Sequence, residues 1–86
     1  MYNLHLSKQV VKFINARTPK ERVRIAQAFE QLQHDPFHNH LDIKKLTGSE
    51  NKYRLRLGNY RLLYEIVQDL VLIYCYKADT RGDVYK

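Results

Sequence analysis

Two alternating runs, Tyr53 to Leu57 and Tyr60 to Tyr64, flank the dipeptide Gly58-Asn59, and this leaves the segment one favoured local structure, a tight β-hairpin. The first position of such a loop needs positive φ, which Gly58 supplies. A two-residue loop there sets Leu57 opposite Tyr60 and Arg56 opposite Arg61. Side chains alternate along a strand, so Arg54, Arg56 and Arg61 share one face, while Tyr53, Leu55, Leu57, Tyr60, Leu62 and Tyr64 share the other. Like charges directly opposite one another destabilise a sheet. The hairpin therefore calls for a compensating negative charge, and an anionic partner is its simplest source.

The rest of the chain supplies the layer on which this hairpin packs. Tyr2 to Leu6 alternates as a short strand, and Ser7 is placed to cap a helix carrying Val10, Val11, Phe13 and Ile14 at helical spacing. Thr18-Pro19-Lys20-Glu21 is a capping box with proline at the first helical position. It opens a second helix whose stripe is Ile25, Ala26, Phe29 and Leu32. Asp35-Pro36 ends that helix, and the segment to Leu46-Thr47-Gly48 reads as a loop with a short extended piece. Strands follow at about Lys52 to Leu57, Tyr60 to Val67 and Leu70 to Lys77, the last two joined by a turn at Gln68-Asp69.

This order predicts one α+β domain over residues 1–86, an N-terminal strand and an α-helical hairpin packed on one face of a mainly antiparallel sheet. Regular pairing puts Leu55, Leu57, Leu62, Tyr64, Ile66, Val71, Ile73 and Cys75 against the helices. The open face then holds Arg54, Arg56, Arg61, Leu63, Glu65, Val67, Leu70, Leu72, Tyr74 and Tyr76. A bulge would reverse the assignments beyond it.

Fifteen Lys and Arg against nine Asp and Glu give a formal net charge of +6, which suits nucleic acid or an acidic protein. A single cysteine excludes an internal disulfide and fits a reducing cytoplasm, with Cys75 expected as a buried, inert thiol. No segment reads as a signal peptide, and no apolar run approaches the ~20 residues of a membrane span. His34, His38 and His40 suggest a metal site, but Pro36 breaks the helix that would align the first two, and no paired carboxylate completes a ligand set. No metal and no other cofactor is expected. Tyr74 and Tyr76 are candidate base-stacking platforms with strand packing as the plain alternative, and Lys44, Lys45, Lys52 and Lys77 are candidate phosphate contacts.

In order and spacing the chain resembles the RelE branch of the RelE/ParE superfamily of toxins. The resemblance rests on the helical hairpin, Lys44-Lys45-Leu46-Thr47-Gly48, the hairpin from Tyr53 to Glu65, and the ending Arg81-Gly82-Asp83-Val84-Tyr85-Lys86. It implies a ribosome-dependent endoribonuclease that cuts messenger RNA in the A site, without a metal, by attack of a ribose 2′-hydroxyl. It implies Arg61 as the phosphate clamp, Arg54 and Arg56 as further strand cations, and Arg81 with Tyr85 as a C-terminal pair for charge and proton transfer or base orientation. Implied partners are the ribosome, messenger RNA and a cognate antitoxin, through which a hetero-oligomer would bind DNA.

Two departures from the family pattern bear on chemistry. Lysine in some members is here Arg54 and Arg56, which can supply charge but cannot act as bases, and the histidine before the C-terminal arginine is Thr80. Tyr85, Lys52 and Lys77 remain as candidate bases. A gyrase poison of the ParE type and a degenerate toxin acting only as a binding module are the alternatives.

Overall fold

The structure, a computed structural model, describes residues 1–37 and 40–80. Strand β1 (Asn3–Leu6) leads into helix α1 (Lys8–Asn15), where the Ser7 hydroxyl accepts the Val10 N–H at 3.2 Å. Helix α2 (Pro19–His34) opens with the expected reciprocal cap. Thr18 Oγ1 accepts the Glu21 N–H at 3.2 Å, and the Glu21 carboxylate accepts the Thr18 N–H at 3.0 Å. The helix stops at His34, before Pro36, because proline cannot continue the helical hydrogen bonds.

Strands β2 (Asp42–Lys45), β3 (Lys52–Leu57), β4 (Tyr60–Val67) and β5 (Leu72–Thr80) complete a five-stranded sheet in the order β1-β5-β4-β3-β2. Only the edge pairing of β1 with β5 is parallel. The hairpin has the register read from its sequence: Leu57 faces Tyr60, Arg56 faces Arg61, and Gly58 turns the chain at φ 61°. Both helices cover one face of the sheet. Val10, Ile25 and Leu32 meet Leu55, Leu62 and Ile73 there, each at most 1% exposed.

The stripe of α2 runs through Ala28 in place of Ala26, which is exposed, and Val11 of α1 faces outward because Val10 alone takes the core position at that turn. The connection after β4 is longer than two residues: Gln68–Leu70 forms a 3₁₀ turn, and Val71 follows at φ 48°. Leu72 therefore pairs with Val67, and the register moves by two residues from the expected one. An even shift preserves which face each side chain occupies. Only the residues absorbed by the turn change, so Val71 is 46% exposed and Leu70 lies outside the strand.

Strand β5 also departs from the expected unbroken alternation. Tyr64 faces Cys75 but Leu63 faces Lys77, so Tyr76 is an extra residue in a β-bulge. Beyond it the faces reverse: Ala78 enters the core at 1% exposure, while Lys77 and Asp79 point to the open face. Helix α1 holds this segment. The Ser7 hydroxyl donates to the Tyr76 carbonyl at 3.0 Å, and the Gln9 side-chain amide bonds both backbone groups of Ala78, at 2.7 and 2.8 Å. Gln9 thus extends the ladder where β1 has already ended.

Candidate nucleic-acid interface

The register sorts the open face into transverse rows. One row runs Asp42, Arg56, Arg61, Asp79 across β2, β3, β4 and β5. The opposed arginines expected from the hairpin are present, but their compensation is partly internal. Arg61 donates to Asp79 through Nε at 3.2 Å and Nη2 at 3.0 Å, a side-on two-bond pair, and Asp42 stands opposite Arg56 on the other flank. The inference that an anionic partner is the simplest compensation for the arginines is corrected by this pair.

The neighbouring row is different. Lys44, Arg54, Leu63 and Lys77 lie across the same four strands with no acidic residue among them. Arg54 is half-buried, and its Nε is closed off from solvent without a hydrogen-bond partner. A buried N–H of a charged group left unpaired is costly, so Arg54 occupies this face at the expense of stability. Lys44 and Lys45, expected in a loop with a short extended piece, are consecutive in edge strand β2. Alternation puts Lys44 on the basic face and Lys45, opposite Tyr53, on the helix side.

A third row brings aromatic rings to the open face. Lys52 faces Glu65, Glu65 faces Tyr74, and Tyr74 faces His5. The ring centroids of His5 and Tyr74 are 5.9 Å apart, those of Tyr74 and Tyr76 are 6.3 Å apart, and Lys52 Nζ lies 5.7 Å over the Tyr76 ring. Both tyrosines are half-buried. Loss of solvent, followed by the Glu65 charge and Cys75, raises the Tyr76 phenol above its ordinary value, so at neutral pH it can donate a proton but holds no charge.

The open face thus gathers Arg54, Arg56, Arg61, Lys44, Lys52, Lys77, Tyr74 and Tyr76, and leaves out Lys45. Arg81 and Tyr85 lie outside the described residues, as does His38. Sequence reasoning missed Asp79, although a signal was present. Under unbroken alternation Lys77 and Asp79 would enter the core and Ala78 would face out, a pattern that only a bulge repairs.

Burial pushes the Cys75 thiol up to about 12, with a hydrogen bond to the Lys77 carbonyl opposing it, and the residue has no exposed surface. It is not a nucleophile. A cleft of about 370 Å³ is lined by Phe37, Glu50, Tyr53, Ile66 and Asp69 among others, and its two carboxylates make it unsuited to phosphate. Among the described residues no cluster of three or more His, Cys, Asp or Glu could hold a metal ion. No helix among them is long and apolar enough to cross a membrane.

No protein-family model matches the chain. A relative that bears the name RelE1 in Methanocaldococcus jannaschii is 30% identical over 86 residues, spanning 99% of this chain and 96% of its own. The toxin fold in the archaeal RelE–RelB complex from Pyrococcus horikoshii matches at TM-score 0.83 and 30% identity, over 94% of this chain and 96% of that one. In the RelB–RelE antitoxin–toxin complex from Methanococcus jannaschii the match is 0.75 at 32% identity, over 95% of each. Isolated RelE from Escherichia coli, at 20% identity and TM-score 0.79, shares the fold. The elements, their order and this similarity along nearly the whole chain agree: the protein belongs to the RelE branch of the RelE/ParE toxin superfamily.

Proposed function

We propose that the protein is the toxin of a toxin–antitoxin pair and a ribosome-dependent endoribonuclease that cleaves messenger RNA in the A site. The observation that carries this reading is the Lys44–Arg54–Lys77 row lying beside Arg56 and Arg61 on one sheet face. A row of cations with no acidic residue among them attracts a polyanion.

In the proposed reaction a ribose 2′-oxygen attacks the adjacent phosphorus, and the bond to the 5′-oxygen breaks. The products are a 2′,3′-cyclic phosphate and a 5′-hydroxyl. One proton must leave the 2′-hydroxyl and one must reach the departing oxygen, while negative charge grows on the phosphoryl oxygens. Arg61 clamps the phosphate and Arg54 and Arg56 supply further charge, none of them acting as a base. From the family resemblance, Arg81 adds charge and Tyr85 moves a proton or orients a base. Tyr74 and Tyr76 stack bases, and Lys44, Lys52 and Lys77 hold flanking phosphates. No metal takes part.

A cognate antitoxin neutralises the toxin, a reading supported by the RelE relatives solved together with RelB. The toxin–antitoxin hetero-oligomer binds DNA through the antitoxin, and the toxin acts in the cytoplasm. Induced expression tests the proposal. Translation should stop, and messenger fragments with cyclic-phosphate ends should map to codons on translating ribosomes; arrested growth with intact messenger and damaged DNA would favour a gyrase poison instead.

A further inference from the structure

Asp79 is an acidic residue placed by a bulge onto the basic face of a protein proposed to bind RNA. On electrostatic grounds alone it reduces the pull of that face on phosphate. Its geometry points to a compensating gain. Asp79 and Arg61 stand directly opposite each other on β5 and β4, and the carboxylate grips the guanidinium along one edge, Oδ1 to Nε at 3.2 Å and Oδ2 to Nη2 at 3.0 Å. Both side chains are about a third exposed, at 32% and 29%, so the pair is partly shielded from water. Two parallel bonds to a planar group fix the plane as well as the position of that group. An arginine side chain is otherwise long and free to sample many rotamers.

The placement of Asp79 is built into the fold. Without the extra residue at Tyr76, residue 79 would face the helices. The Ser7 bond to the Tyr76 carbonyl and the two Gln9 bonds to Ala78 hold β5 in the bulged register just before Asp79.

We propose that Asp79 is a positioning residue for Arg61: it holds the guanidinium in one orientation before RNA arrives, so that the charge forming on the phosphoryl group meets a donor already in place. The inference rests on the ribonuclease reading above. Preorganised donors act without reorganising during the reaction, and misplacing one costs rate more than affinity.

Cutting therefore falls without a matching loss of binding when Asp79 is changed. The test uses the intact toxin on programmed ribosomes, with Asp79→Asn and, as a second variant, Asp79→Ser. Single-turnover cleavage should slow by about 10-fold in the folded variants while affinity for the ribosome stays the same or tightens. Asn cannot reproduce the pair, because its amide turns a donor toward one of the guanidinium donors. The NMR signal of the Arg61 Nε–H should be sharp and slow to exchange in the wild type and should lose that protection in both variants. Cleavage at or above the wild-type rate, or an unchanged Arg61 signal, overturns the inference while leaving the ribonuclease reading intact. A wild-type protein that cuts no messenger overturns the reading and this inference with it.

Discussion

Arg54 and Arg61 lie on neighbouring strands of one face, yet their surroundings give them different electrostatic character. Arg61 is held by Asp79, whereas Arg54 stands between Lys44 and Leu63 with its Nε shielded and unpaired. Replacing Arg54 by Met keeps the apolar stem and removes the charge. Affinity for ribosome or RNA should fall, with the slope of log affinity against log salt smaller by about 1, and the melting temperature should stay level or rise because an unsatisfied donor is gone. Binding titrations over a tenfold salt range, with a melting curve of each protein, check both halves. Tyr64 presents the same physics in the core. Its ring is fully buried and stacked on Tyr53 at 5.6 Å, but its hydroxyl has no partner. Tyr64→Phe should therefore stabilise the protein by about 1 kcal/mol, read from urea unfolding.

Among the elements, β5 carries the most consequence, because its bulge decides what the open face contains. Gln9 bonds the N–H and carbonyl of Ala78, a residue 1% exposed, and so takes the place of a strand partner. Gln9→Ala should lower stability by about 1–3 kcal/mol and speed hydrogen exchange at Ala78 and its neighbours more than in the β3–β4 hairpin. That hairpin was legible in the sequence because everything that fixes it is local: Gly58 at positive φ, two alternating runs, and a face of leucines. The N-terminal cap of α2 was legible for the same reason. The turn at Gln68 to Val71 was not, since Val71 is a β-branched residue in the left-handed region and nothing in its type announces that conformation. The bulge was half-legible. Its trace was the polar phase of Lys77 and Asp79, but its cause is long-range, in Ser7 and Gln9. A hydrogen bond between residues 69 apart leaves no pattern in either segment alone.

Across the molecule, a net charge of +6 is spread over a small domain whose core includes the Cys75 thiol and two tyrosines, Tyr60 and the fully buried Tyr64. In the folded state burial raises Cys75 from 9.0 to about 12, and burial, followed by Tyr53 and Cys75, raises Tyr64 in the same direction. Ionisation is thus disfavoured in the fold relative to the unfolded chain. This stability is complete below about pH 9 and is lost as pH rises toward 12. Urea midpoints measured from neutral to alkaline pH should fall over that window, and Cys75→Ala should flatten the first part of the decline. The fold was readable from the sequence because helix caps, alternation and order all agree, while the arrangement of charge on the open face depended on pairing between distant strands.

Single-turnover cleavage on programmed ribosomes decides whether this face cuts messenger RNA, as proposed, or only binds it. The wild type should cut at the A-site codon without added metal and leave a 2′,3′-cyclic phosphate, and a folded Arg61→Ala variant should be slower by about 100-fold. Cleavage of free RNA at the same rate as ribosome-bound RNA, no cleavage at all, or an undiminished rate in Arg61→Ala would contradict the proposal.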